Sequence, residues 1–140
     1  MDRHADARWN GDLKSGNGTV KLGSGAYEGP YSFVSRFENG TETNPEELLG
    51  AAHAACYSMA LGAGLGKAGH TVKSISTTAT VHLTKGDGGS SITGISLVTR
   101  GDVPGLSLAE FQKAANDTKT GCIISRALAA VPMTVDAQLV

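Results

Sequence analysis

From Leu48 to Gly66 the chain carries no Lys, Arg, Asp or Glu. A run of that length approaches what a membrane span needs. Its makeup argues for a different fate. The run is mostly Ala and Gly, with His53, Tyr57 and Ser58 inside it. A helix without a charged face is buried within a fold, and small side chains let a second backbone approach closely. The run opens on a helix start signal. Asn44 can cap the first turn, Pro45 suits the first helical position, and Glu47 completes a capping box with Asn44. Gly62, Gly64, Gly66 and Gly69 weaken the far end, so the helix stops near Lys67. The expectation is a long helix packed on both sides, with Cys56 in its middle.

Three residues draw attention to that cysteine. Glu46 stands ten positions earlier, at about 100° per residue roughly 80° around the helix and three turns toward its N-terminus. Glu47 falls on the opposite face, which fits capping. Arg36 lies in the preceding segment YSFVSRFENG, and Cys122 is the other cysteine of the pair.

The 140-residue chain is sized for one domain, 1–140, with a real core. Its net charge of −1 and lack of a basic run point to neither nucleic acid nor an anionic membrane. The opening MDRHADARWN has no apolar stretch, so no signal peptide is expected and the cytoplasm is the expected location. Two cysteines do not make a disulfide scaffold.

Ala5 to Ser35 reads as short strands joined by Gly-rich turns. Ala7-Arg8-Trp9 suits a first strand, Gly16-Asn17-Gly18 a hairpin turn before Thr19 to Leu22, and Gly29-Pro30 another turn before Tyr31 to Phe37. Val72 to Leu83 alternates, with Ile75, Thr77, Ala79, Val81 and Leu83 on one face. Gly86 to Gly89 is a turn, Ile92 to Arg100 the return strand, and Gly94 a bulge. Ser107 and Glu110 form a second capping box for a helix from Leu108 to about Asp117. A short helix from Cys122 to Ala130 ends before Pro132, and Met133 to Val140 alternates as a last strand. The sum is an α+β domain.

The stretch TNPEELLGAAHAAC, residues 43–56, resembles the signature of the OsmC/Ohr family (osmotically inducible protein C and organic hydroperoxide resistance), in the H-A-A-C form of its OsmC branch. The resemblance extends over nearly the whole chain. It takes in SRF around Arg36, the Asp-Gly-Gly turn, VPG at 103–105 and KTGCIIS around Cys122. One residue departs from the pattern: Ile123 stands where the family usually has Pro after the second cysteine. The resemblance implies antiparallel sheets around a buried central helix, in an intertwined homodimer with the site at the subunit interface. It also implies a cofactor-free thiol peroxidase acting on organic hydroperoxides and, more weakly, on hydrogen peroxide. An external dithiol, for example of the lipoyl type, would serve as reductant.

The residue types suit that chemistry. A thiol attacks an O–O bond as the thiolate, and burial alone disfavours the charged form. At mid-helix the N-terminal dipole is too distant to help. A cation is needed, and Arg36, fixed by a bidentate pair with Glu46, is the candidate. Cys122 opens a helix, so by position alone either cysteine could be the nucleophile. The resemblance assigns Cys56 as nucleophile and Cys122 as the resolving cysteine that closes a Cys56–Cys122 disulfide. Three alternatives stand beside this. His53, one turn before Cys56, suggests a Cys–His hydrolase, though no orienting group or oxyanion hole is visible. His53, Cys56, Cys122 and His82 suggest zinc, though without close ligand pairs. A non-catalytic dimer binding apolar ligands is the third. A buried, hydrogen-bonded structural role is the plain reading of His53.

Overall fold

Short alternating segments at the start of the chain build a small sheet. In the computed structural model, which describes residues 1–140, β1 (Ala5–Asn10), β2 (Asn17–Leu22) and β3 (Glu28–Tyr31) pair antiparallel in that order. The first hairpin turn falls earlier than its Gly-Asn-Gly signal. Asn17 and Gly18 already lie in β2, opposite Asn10 and Trp9. The reversal is made by Gly11 to Gly16, where Asp12 Oδ1 accepts from the amides of Lys14 at 2.9 Å and Ser15 at 2.8 Å. An aspartate closing its own turn in this way outcompetes a downstream Asn-Gly. Gly18 is needed for space instead, because a Cβ there would meet the rings of Tyr31 and Trp9.

Gly29-Pro30 is likewise inside a strand rather than a turn. Pro30 sits opposite Thr19 on the outer strand β3, an edge position that needs no further amide donor. Beyond it the chain turns helical, as α1 (Phe33–Phe37), where the aromatic run had suggested extended chain. Ser32 caps α1, accepting from Ser35 N at 3.1 Å, and Ser35 Oγ accepts from Ser32 N at 2.9 Å. That reciprocal pair fixes the first turn, and a serine at the third position does what Glu or Gln does in the usual box.

The uncharged run forms α2 (Pro45–Lys67), with the predicted ends. Asn44 Oδ1 accepts from Glu47 N at 2.8 Å. The Glu47 carboxylate does not return to Asn44; it accepts from Thr43 Oγ1 at 2.6 Å. The chain divides into two units, Met1–Leu48 and Leu49–Val140, and α2 contributes to both.

In the second unit, β4 (Ser74–Gly86) and β5 (Gly89–Asp102) form a long hairpin around Asp87-Gly88. The bulge lies beside Gly94: His82 faces Gly94, Leu83 faces Ile92, and Thr93 is the extra residue. β6 (Met133–Leu139) joins the other side of β5 in parallel, so this sheet is mixed. Parallel pairing requires a crossover, here made by α3 (Leu108–Gly121) and α4 (Ile123–Ala127). The Ser107–Glu110 capping box of α3 is present, and α3 continues past Asp117 to Gly121.

In this unit Gly50, His53, Tyr57, Leu61 and Leu65 of α2 are buried, at the three- and four-residue spacing of a single stripe. A Cβ on Gly50 would lie 3.1 Å from the Ala79 carbonyl oxygen, and Ser58 Oγ donates to Thr77 Oγ1 at 2.8 Å. The helix therefore rests on β4. Burying Tyr57, Leu61 and Leu65 stabilises the unit by about 1.5–3 kcal/mol per side chain. By length and composition α2 could also span a membrane, but His53, Tyr57 and Ser58 on it each bond to a polar group elsewhere in the unit. The opposite face, Ala51, Ala52, Ala55 and Met59, is exposed and carries no charge. The single chain thus covers one of the two sides expected to be covered.

Phe111 on α3 is fully buried, and its ring would lie 2.6 Å from a Cβ at Gly101 on β5. Gly101→Ala should therefore overpack the core and cost about 1–3 kcal/mol. Urea denaturation measures this. A midpoint equal to that of the unsubstituted protein would mean that the Phe111 ring moves aside freely.

Candidate active site

Both thiols belong to the unit Leu49–Val140. Cys56 is half-buried on α2, and Cys122 is 2% exposed at the junction of α3 and α4. Cys122 has two structural tasks. Its amide donates to the Thr118 carbonyl, closing α3, and its sulfur accepts from Ser125 N at 3.3 Å, opening α4. Both cysteines are reduced, and Cys56 packs against the buried cluster that contains Cys122.

Burial works to raise the Cys122 pKa. Hydrogen bonds open to its thiolate from the Ser125 hydroxyl and amide, from Cys56 and from the Ile124 amide outweigh that, and hold it below the ordinary value. Tyr57 moves the opposite way, pushed well up first by burial and then by the facing charge of Cys122. Its hydroxyl donates to the Ala115 carbonyl at 2.7 Å, so it anchors α2 to α3 as a neutral phenol. Ile123, in the place of the family's proline, points 73% exposed from the first turn of α4 and touches none of this.

His53 is fully buried, and its Nε2 lies 2.8 Å from Ser125 Oγ. Desolvation lowers its pKa, which favours the neutral imidazole. Its Nδ1 is buried without a partner. The plain structural reading of His53 is thus only half met. Ser125 was absent from the sequence-based candidates. Its one signal was the Cys-x-x-Ser spacing at a helix start, which puts a cap and its third residue within reach. His82 stands apart on an exposed face of β4, with Nε2 2.8 Å from Ser96 Oγ. No three His, Cys, Asp or Glu side chains converge as metal ligands, so the four-residue zinc set is not assembled.

The charged pair belongs to the unit Met1–Leu48. Arg36 Nη2 donates to Glu46 Oε1 at 2.8 Å, and Nε lies 3.2 Å from each carboxylate oxygen. The Glu46 side chain is 10% exposed and that of Arg36 39%. Asn44 Nδ2 donates to the Ser35 carbonyl at 2.9 Å and Ser35 Oγ to the Thr43 carbonyl at 2.8 Å, tying α1 to the start of α2. Those bonds hold the arginine where its carboxylate can meet it. The guanidinium also lies 5.2 Å from the centroid of the Phe37 ring. With Trp9, Leu13, Tyr31, Phe33 and Phe37 it lines a pocket of about 190 Å³. An apolar cavity with one cationic edge suits a small ligand with an apolar body and a polar end.

Residues 38–136 match the family model described as OsmC-like protein. The chain is 49% identical over 140 residues to the Peroxiredoxin OsmC of Escherichia coli K12, covering 99% of this chain and 97% of the relative. Its backbone is similar to that of the organic hydroperoxide resistance protein OhrB of Bacillus subtilis, with a TM-score of 0.75 and 23% identity over 96% of this chain and 98% of the other. A second similar structure is an organic hydroperoxide resistance protein from Elizabethkingia anophelis, with a TM-score of 0.77 and 23% identity over 100% and 99%. At those identities the two structures speak for the fold.

Proposed function

The chain belongs to the OsmC-like family, and on that premise we propose a two-thiol peroxidase cycle that acts preferentially on organic hydroperoxides. The coarser part, a cysteine-based peroxidase, follows from near-full-length identity to a peroxiredoxin. The finer part assigns the roles. The Cys56 thiolate attacks the distal peroxide oxygen, the O–O bond breaks, and an alcohol leaves. Cys56 becomes a sulfenic acid, which Cys122 attacks to give a disulfide and water. An external dithiol then returns both thiols by exchange. Arg36 supplies positive charge for the thiolate and for the oxygen of the leaving alkoxide, and Glu46 fixes its orientation.

The observation that carries this reading is that two reduced thiols share one buried cluster within one unit. The pocket beside Arg36 supports the preference for an alkyl-bearing peroxide. The test adds one equivalent of cumene hydroperoxide to reduced protein and counts thiols by mass spectrometry. Rapid loss of both, with a Cys56–Cys122 crosslink, is the expected result. Retention of both thiols would favour the non-catalytic binding protein.

We place the enzyme in the cytoplasm as a homodimer. The uncharged Ala51, Ala52, Ala55 and Met59 face of α2 supports assembly, because an exposed apolar helix face calls for a cover. Sedimentation velocity at low micromolar concentration should show a dimer. A clean monomer would remove the second copy from the proposal.

A further inference from the structure

Cys122, Ser125 and His53 form an unbroken buried chain. They are 2%, 3% and 0% exposed. The Cys122 thiol donates to Ser125 Oγ at 3.3 Å, and Ser125 Oγ lies 2.8 Å from His53 Nε2. Ser125 has one hydroxyl hydrogen. With the thiol donating to it, that hydrogen goes to Nε2, and the neutral ring carries its own hydrogen on Nδ1. This is the atom left buried without a partner. In the opposite tautomer Nε2–H donates to Ser125, whose hydrogen then turns to the Cys122 sulfur, the polarity that suits a thiolate, and Nδ1 is left as an unpaired acceptor. In either tautomer a residue kept only to fill space would not bring an unpaired polar nitrogen into the core.

Resting on the two-thiol cycle above, we infer that Ser125 and His53 form a proton relay for the resolving step. Ser125 Oγ receives the Cys122 proton as Cys122 attacks, and His53 Nε2 receives the proton Ser125 gives up. Before the new bond closes the polarity of the chain is thus reversed: Ser125 donates to the thiolate, and Nε2–H donates to Ser125. The sulfur–sulfur bond forms as the S–O bond of the Cys56 sulfenic acid breaks. Cys122 sulfur is oxidised and Cys56 sulfur reduced. The departing hydroxide takes a proton from the Ser125 hydroxyl as His53 Nε2–H returns its own to Ser125, and leaves as water. The only oxidant is the hydroperoxide consumed in the first step.

Burial is what makes the relay necessary, since a thiol closed from solvent cannot hand its proton to bulk water. The groups facing His53 leave few other acceptors. Tyr57, on the same helix, is committed to the Ala115 carbonyl. Cys56 is the sulfur under attack, and no carboxylate or cation contributes to the lowered pKa of His53. His53 acts through Ser125 and does not itself reach sulfur.

The test is a rapid-quench time course on reduced full-length protein with one equivalent of cumene hydroperoxide. Sulfenic acid is trapped with a dimedone-type reagent, and disulfide is counted by mass spectrometry. The readout is the disulfide-forming rate relative to the sulfenic-acid-forming rate. His53→Gln and Ser125→Ala should each lower that ratio about tenfold or more. The double variant should be no worse than the slower single one, as for residues acting as a unit. Ser125→Thr, which keeps a hydroxyl, should restore most of it. In the unsubstituted protein the disulfide step should slow as acid protonates His53, and His53→Gln should lose that dependence. An unchanged ratio in both single variants, or a pH profile untouched by His53→Gln, would overturn the relay. If His53→Gln does not fold, Ser125→Ala and Ser125→Thr decide it by the ratio alone. Absence of sulfenic acid in the unsubstituted protein would overturn the peroxidase cycle, and the relay with it.

Discussion

Cys56→Ser should reduce peroxide consumption to the uncatalysed background, on the order of a thousandfold or more, because a serine hydroxyl stays protonated where a thiol ionises and is a far poorer nucleophile. The substitution is close to isosteric, and Cys56 is half-buried on a helix anchored by Tyr57, Leu61 and Leu65. Folding should survive, and circular dichroism checks that. The contrast is with Cys122→Ser. That variant should consume one equivalent of hydroperoxide and then stall, with Cys56 held as sulfenic acid and, under excess peroxide, as sulfinic acid. Near-normal turnover in Cys56→Ser would reverse the assignment of the two cysteines.

Arg36→Met should lower the peroxide rate by about a hundredfold or more, the usual scale for removing one donor aimed at developing charge. Glu46 engages Nε and Nη2 of the guanidinium, while Nη1 makes no hydrogen bond within the chain. The arginine is thus held on one edge and keeps donors on the other. Methionine retains much of the apolar stem and removes the charge. It also strands a carboxylate that is 10% exposed, and a nearly buried charge without its partner destabilises the fold. The double variant with Glu46→Gln separates the two effects. A comparable rate loss in the double variant would trace it to the missing cation. Glu46→Gln alone should act more weakly in the same direction. A peroxide rate unaltered by Arg36→Met would leave Arg36 as an ordinary loop charge.

The elements most legible in the sequence were those with signals at both ends. Asn44-Pro45 and the glycines before Lys67 bounded α2, and Ser107 with Glu110 marked the start of α3. Tyr31 to Phe37 misled because aromatic and β-branched residues favour extended chain, while the helix there depends on a Ser32–Ser35 exchange of hydrogen bonds. The parallel docking of β6 was hidden because alternation reveals a strand's faces but not its direction. At the site, single residues could be selected by chemical type. Arg36 and Glu46 were nominated as a pair and do meet. The Ser125–His53 contact spans 72 positions of sequence, and no local pattern encodes such a meeting.

The Ser125 amide donates its hydrogen to the very sulfur that is to be oxidised. A thiolate is a strong acceptor, whereas a disulfide sulfur is a weak one and is drawn toward Cys56. Each turn of the cycle would therefore loosen and retighten the first turn of α4. The deuterium uptake of that one amide should be slow in reduced protein and faster in oxidised protein, which gives the chain a backbone reporter of its own redox state.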